Sequence, residues 1–179
     1  MNYIDPSPEY YTIDAKEFLN PEKKFLRGRL PRAIEHWVIP SEIPHESRLV
    51  LERIGYFLKR EEDLDFPPYS ASLLVDNEFG HIFSVPFTEE TSRPIGGASF
   101  SKKRWNDGKE GFLMDWIWFH PYYRRKGILS AAWATLVADY GQFPVSLPCS
   151  PVMALFLEKV GHPTQGMPWA EVAKHGRFR

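Results

Sequence analysis

Arg124-Arg125-Lys126-Gly127 places three cations and a glycine between two apolar segments of different period. Before it, Phe112 to Phe119 is a run of aromatic and branched residues whose one charge is Asp115, which reads as a buried strand. His120-Pro121 ends that run, since proline cannot donate to a ladder. After it, Ile128, Ala132, Leu136 and Tyr140 recur at helical spacing, flanked by Leu129, Trp133 and Val137. The first turn of a helix leaves backbone N–H groups unpaired at the positive end of its dipole, so a basic loop leading into it suits a phosphate or pyrophosphate. Gly127 would let the backbone come close, Arg124, Arg125 and Lys126 would add charge-assisted hydrogen bonds, and Ser130 adds a hydroxyl. A solvated basic turn is the bland alternative, and the strand and helix on either side weigh against it.

The segment from Phe119 to Ala132 resembles the acyl-CoA pyrophosphate loop of the GNAT superfamily of N-acetyltransferases. That loop runs Arg or Gln, two residues, Gly, one residue, then Gly or Ala. Arg124 and Gly127 take the first two fixed positions, and Leu129 departs from the third. A second stretch, Ser150 to His162, is similar to the family's late helix, although Ser150 stands where Asn is common and Leu157 where many members carry a Tyr that protonates the leaving thiolate. The resemblance covers residues 94–162. It implies an α/β (α+β) fold with a mixed, largely antiparallel central sheet and helices on both faces. It also implies acetyl-CoA as co-substrate, an amine acceptor, and pantetheine pairing with the backbone of Ile117, Trp118 and Phe119. The donor loop it implies is Arg124 to Ser130, with Ile128 and Leu129 supplying helix amides.

Direct transfer to an amine needs a neutral amine, so a base must take its proton. Asp115 is the base candidate, because burial inside an apolar strand raises a carboxylate's pKa; the alternative is a structural pair with an Arg or Lys, and Glu110 is the reserve. For the thiolate's proton, Cys149 or Ser150 at the end of the next strand are the candidates, with Tyr122, Tyr123 and Tyr140 nearby in sequence; His120 reads as a cap. Two other readings stay open: a degenerate member that binds CoA or a protein without turnover, and an unrelated α+β interaction module.

These residues need a scaffold, and the periodicity outlines one. His45 to Glu62 is an amphipathic helix with Val50, Leu51, Ile54, Phe57 and Leu58 inward and Arg48, Glu52, Arg53, Lys59 and Arg60 as candidates for its wetter faces. Ser72–Val75 and Gly80–Val85 read as strands around a connection at Asp76 to Phe79, and Pro94–Ser101 as a strand with a tight spot at Gly96-Gly97. Asn106-Asp107-Gly108 is a turn into the central strand. Phe143–Leu147 follows as a short strand and Ser150–Val160 as a helix stopped by Gly161, which implies a parallel pair. Among the first 45 residues, strands are expected at Tyr10–Ile13 and Glu35–Ile39 and a helical turn at Ala15–Leu19, as an irregular elaboration.

A chain of 179 residues with 43% apolar and 15% aromatic residues is of single-domain length with material for a packed core. Its net charge of −1, with dispersed signs, points away from nucleic acid and from acidic membrane surfaces. Cys149 is the one cysteine, and the six histidines lack metal-ligand spacing, so no disulfide and no metal are expected. The acidic, proline-containing start is unlike a secretory leader, and no apolar run reaches the length of a membrane span, which gives a cytoplasmic expectation. The resemblance allows a homodimer.

Overall fold

Three long runs of apolar and β-branched residues lie close in sequence and fold back on one another as the centre of the sheet. In the computed structural model, residues 23–25, 34–40, 45–72, 78–86, 92–105, 107–146 and 149–162 are described. In chain order the elements are β1 (Lys23–Phe25), β2 (Glu35–Pro40), α1 (His45–Glu62), β3 (Glu78–Pro86), β4 (Ser92–Arg104), β5 (Glu110–Phe119), one 3-10 turn (Pro121–Tyr123), α2 (Ile128–Tyr140) and α3 (Pro151–Lys159). The five strands pair in sequence order and antiparallel throughout. The chain is thus α/β, with helices on both faces of the sheet.

Burial along β3 shows why both faces need cover: every residue from Gly80 to Val85 is buried, so the strand cannot have a wet side. On one face, Val50, Leu51, Ile54 and Phe57 of α1 pack with Ile39, Ile82, Trp116 and Trp118. On the other, Ile128, Ala132, Trp133 and Leu136 of α2 and Leu157 of α3 pack with Phe83, Ala98, Phe100 and Met114. Glycines at Gly80 and Gly97 let α1 settle onto the strands, since a Cβ on Gly97 would stand 2.9 Å from Leu51 Cδ1 and 3.0 Å from the His81 carbonyl.

α1 has the bounds its periodicity gives, and α3 begins at a Ser150 cap whose Oγ accepts from the Met153 N–H at 3.3 Å. Gly161, at φ 64, follows its end. Other expectations are corrected. β3 begins at Glu78, inside the stretch read as a connection, and pairs across α1 with β2, Ile39 facing Gly80. Phe143–Leu147 is not a ladder among the described residues: it makes one parallel bridge, Val145 to Met114, because Pro144 has no N–H to extend it. Tyr10–Ile13, Ala15–Leu19 and residues 73–75 lie outside the described residues. Arg48, read as wetter-face, is buried with 8% exposure.

Candidate functional site

The chemistry-bearing residues meet where β5 loses a neighbour. Met114 donates its N–H to the Pro144 carbonyl at 2.9 Å and accepts from the Ser146 N–H at 2.8 Å, closing the single parallel bridge. Ser99 faces Trp116 and Phe100 faces Met114, so Asp115 is an extra residue, a β-bulge next to the bridge. Past the bulge the strand stays paired with β4, up to Gly96 opposite Phe119, while no described residue pairs with its other edge. His120 donates inward to the Ile95 carbonyl, so alternation turns the N–H and C=O of Ile117 outward to that edge. The result is a wedge with exposed backbone on one wall.

The basic loop stands at the end of that wall. His120 caps the 3-10 turn as expected, its Nδ1 accepting from the Tyr122 N–H at 3.1 Å. Arg125 follows at φ 59 and Gly127 at φ 78, the second being ordinary only for glycine, and together they turn the chain into α2. The first hydrogen bond of α2 runs from the Ala131 N–H to the Gly127 carbonyl, and no side chain caps the amides before it. No acidic residue occupies the first turn, so the dipole's positive end is not offset there. Of the three cations, Lys126 lies over the Tyr122 ring at 3.7 Å, and Arg125 is exposed. Leu129 packs against the core, and Ser130 is exposed.

Behind the wedge, on the face that α1 covers, sit two carboxylates. Asp115 Oδ1 accepts from the Ser101 hydroxyl at 2.9 Å, and Glu78 Oε1 accepts from the Ser99 hydroxyl at 2.8 Å. Burial pushes the Asp115 carboxyl above its usual range, partly offset by the Ser101 bond and the charge of Lys103. Burial likewise raises Glu78, with the Ser99 bond opposing and the Asp115 charge adding to the rise. Asp115 is therefore held by a hydroxyl rather than by a cation. By its neighbours Asp76 and Asn77, Glu78 reads as a connection residue; its place two residues before the buried Gly80 on a period-two strand is the signal that finds it.

Residues 45–147 match the family model described as the acetyltransferase (GNAT) family. This chain is a GNAT acetyltransferase family member. Among solved structures it is similar to a predicted acetyltransferase of Clostridium acetobutylicum with acetyl-CoA, at 12% identity over 72% of this chain and 88% of that one, TM-score 0.51. It is also similar to a ribosomal-protein-alanine N-acetyltransferase of Brucella melitensis, at 18% identity, 72% and 90% coverage and TM-score 0.46. A Trypanosoma brucei acetyltransferase gives 21% identity, 72% and 91% coverage and TM-score 0.43. These likenesses concern the fold. No curated protein matches the chain.

Within this GNAT fold, Arg124 has an inward task. Its Nη1 and Nη2 bind both oxygens of Glu61 at 2.5 and 2.6 Å, its Nε donates to the Phe119 carbonyl at 2.7 Å, and Trp118 Nε1 donates to Glu61 Oε2 at 2.7 Å. One side chain thus ties the loop, the end of β5 and the last turn of α1 together. The Arg124 and Glu61 side chains are 35% and 15% exposed, between the surface and buried limits for ion pairs. Glu61→Ala should accordingly cost about 1–2 kcal/mol. Urea unfolding measures this, and an unchanged midpoint would mean that the pair holds nothing.

The remaining candidates are spread out. Cys149 is half-buried, and burial raises its thiol, which keeps it protonated; Ser150 is spent as an acceptor on the α3 cap but keeps its O–H to donate. Leu157, at 3% exposure, is core rather than site. Glu110 pairs with Lys102 at 2.6 Å on the exposed end of the hairpin, away from Asp115. Tyr140 is held by His81 Nε2 at 2.7 Å on the α2 face, and burial raises its pKa. Trp118 turns its side chain to Glu61 and, by the alternation that points Ile117 outward, its N–H and C=O toward β4.

Proposed function

We propose that this chain moves an acetyl group from acetyl-CoA directly to an amine acceptor. The observation that carries the reading is the wedge: one bridge at Met114, a bulge at Asp115, then a β5 edge that no described residue pairs, leading to the uncapped start of α2. An amide-rich pantetheine suits the edge at Ile117 as an added strand would. The amides of Ile128, Leu129 and Ser130, with Gly127 and the side chain of Arg125, suit the pyrophosphate. Lys126 adds charge from beside its tyrosine rings. The thioester supplies an activated acyl group; Asp115, with Glu78 beside it, receives the amine's proton, and the Ser150 O–H offers a hydrogen bond to the departing sulfur. Residues 94–162 then form the donor half of one domain, after an irregular segment at residues 1–45. One cysteine in the chain suits a reducing compartment, the cytoplasm.

Acetyl-CoA should raise thermal stability by about 2.7 kcal/mol at a hundred times its dissociation constant. Gly127→Asp, which puts a carboxylate where the phosphates would lie, should unfold like wild type without ligand, within about 1–2 kcal/mol, and show no shift. Arg124→Ala is the poorer probe, since it also breaks the Glu61 pair. A wild type that acetyl-CoA leaves unmoved would sink the reading. A binding module without turnover is the second reading, favoured by Leu157 standing in the core where an acid is usual; acetyl-CoA binding without thiol release in any amine would select it.

A further inference from the structure

Arg48 lies in the first turn of α1 with 8% exposure, on the buried stripe with Leu51, and its Nε is sealed from solvent with no hydrogen-bond partner. The side chain makes no ion pair with any described carboxylate. Proteins seldom leave a guanidinium so, because taking the charge out of water is costly unless an anion meets it. Its surroundings are specific. Tyr69, 7% exposed, lies within electrostatic reach of Arg48, of Glu52 and of Glu78, and Glu78 in turn feels Asp115. Glu52 is occupied, accepting from the Ala71 N–H at 2.5 Å. On the same face, Trp116 Nε1 is a second sealed donor without an acceptor. The α1 face thus holds two unanswered donors and two carboxylates.

We propose that the acceptor is a small zwitterion, an amine that also carries a carboxylate as an amino acid does, with the carboxylate on Arg48 and the ammonium toward Glu78 and Asp115. This deepens the acyltransferase reading and rests on it for the role of Asp115. A guanidinium offers Nε and one Nη side by side, the match for the two oxygens of a carboxylate, and Nε is a sealed donor without a partner. A phosphate monoester fits less well: one cation would face a dianion, with Glu52, Glu78 and Asp115 nearby to repel it.

The test measures equilibrium binding of single L-amino acids, each beside its own primary amide, and of phosphoethanolamine, to the full chain without acetyl-CoA. At least one free acid should bind about 10- to 100-fold more tightly than its amide. Arg48→Met should abolish that difference and leave the unliganded protein's unfolding temperature unchanged or higher, because it removes an unpaired buried charge. Tyr69→Phe, which keeps the ring's packing, should leave the acid-over-amide preference in place and so show that folding variants retain it. The proposal is overturned if no acid binds, if amides bind as well, if phosphoethanolamine outbinds every acid, or if Arg48→Met unfolds the protein. Amino-acid binding in a protein that acetyl-CoA does not stabilise would uphold this subsite and remove the donor reading instead.

Discussion

Asp115→Asn should lower kcat about 10²- to 10⁴-fold with the protein still folded, the range for losing a general base. The change keeps the Ser101 hydrogen bond, since an amide oxygen can accept as the carboxylate does. Stability should move the other way. The folded protein holds Asp115 with its pKa raised by burial, so it binds a proton more tightly than the unfolded chain. Its contribution to stability is present below the unfolded carboxylate range and is lost as pH rises through the folded value. The variant has no such group to ionise. As pH rises from about 4, the unfolded aspartate's value, through the raised folded one, the wild type should therefore lose stability relative to the variant. Urea midpoints at several pH values, set beside kcat, separate a base from structural glue: glue would lose stability and activity together. A kcat within a factor of three of wild type would remove Asp115 from the chemistry and leave Glu78 as the carboxylate to change next.

Asp115 was legible because a charge inside an apolar run must be explained, and the run itself marked β5. The α1 stripe, the helix after Gly127 and the helix from Ser150 were legible for the same reason: each is written in spacing over neighbouring residues. Features made by distant partners were not. Arg124 reads locally as a phosphate ligand, yet the residue that holds it is Glu61, 63 positions earlier, and nothing in either neighbourhood announces the other. Arg48 sits one residue off the centre of the helix's apolar stripe, where a long cation can as easily reach water as lie inward, and only the packed sheet decides. The pairing of β3 with β2 is not legible, because α1 intervenes between them and short apolar runs do not say which strand they pair with.

Phe143→Ala should be the most damaging single change in the core, at about 3–5 kcal/mol. The ring is fully buried, edge-on to Phe100 at 4.9 Å and against Trp133 at 5.1 Å, so its loss leaves a cavity between sheet and α2. Its carbonyl also accepts from His162 Nε2 at 2.7 Å, which fastens the end of α3 to the same spot. The next residue, Pro144, supplies the acceptor for Met114, so the segment that closes the narrow end of the wedge is anchored by this ring. Lost stability should therefore come with lost affinity for acetyl-CoA, because the wall opposite β5 is no longer fixed. Val85→Ala is the control: it lies in the same hydrophobic cluster but on β3, and should weaken the fold without touching the affinity. Chemical unfolding and acetyl-CoA titration of both variants at a temperature where each is folded decide the matter. Equal affinities in Phe143→Ala and Val85→Ala would show that the bridge at Met114 holds without its anchor, and that the wedge is set by the bulge at Asp115 alone.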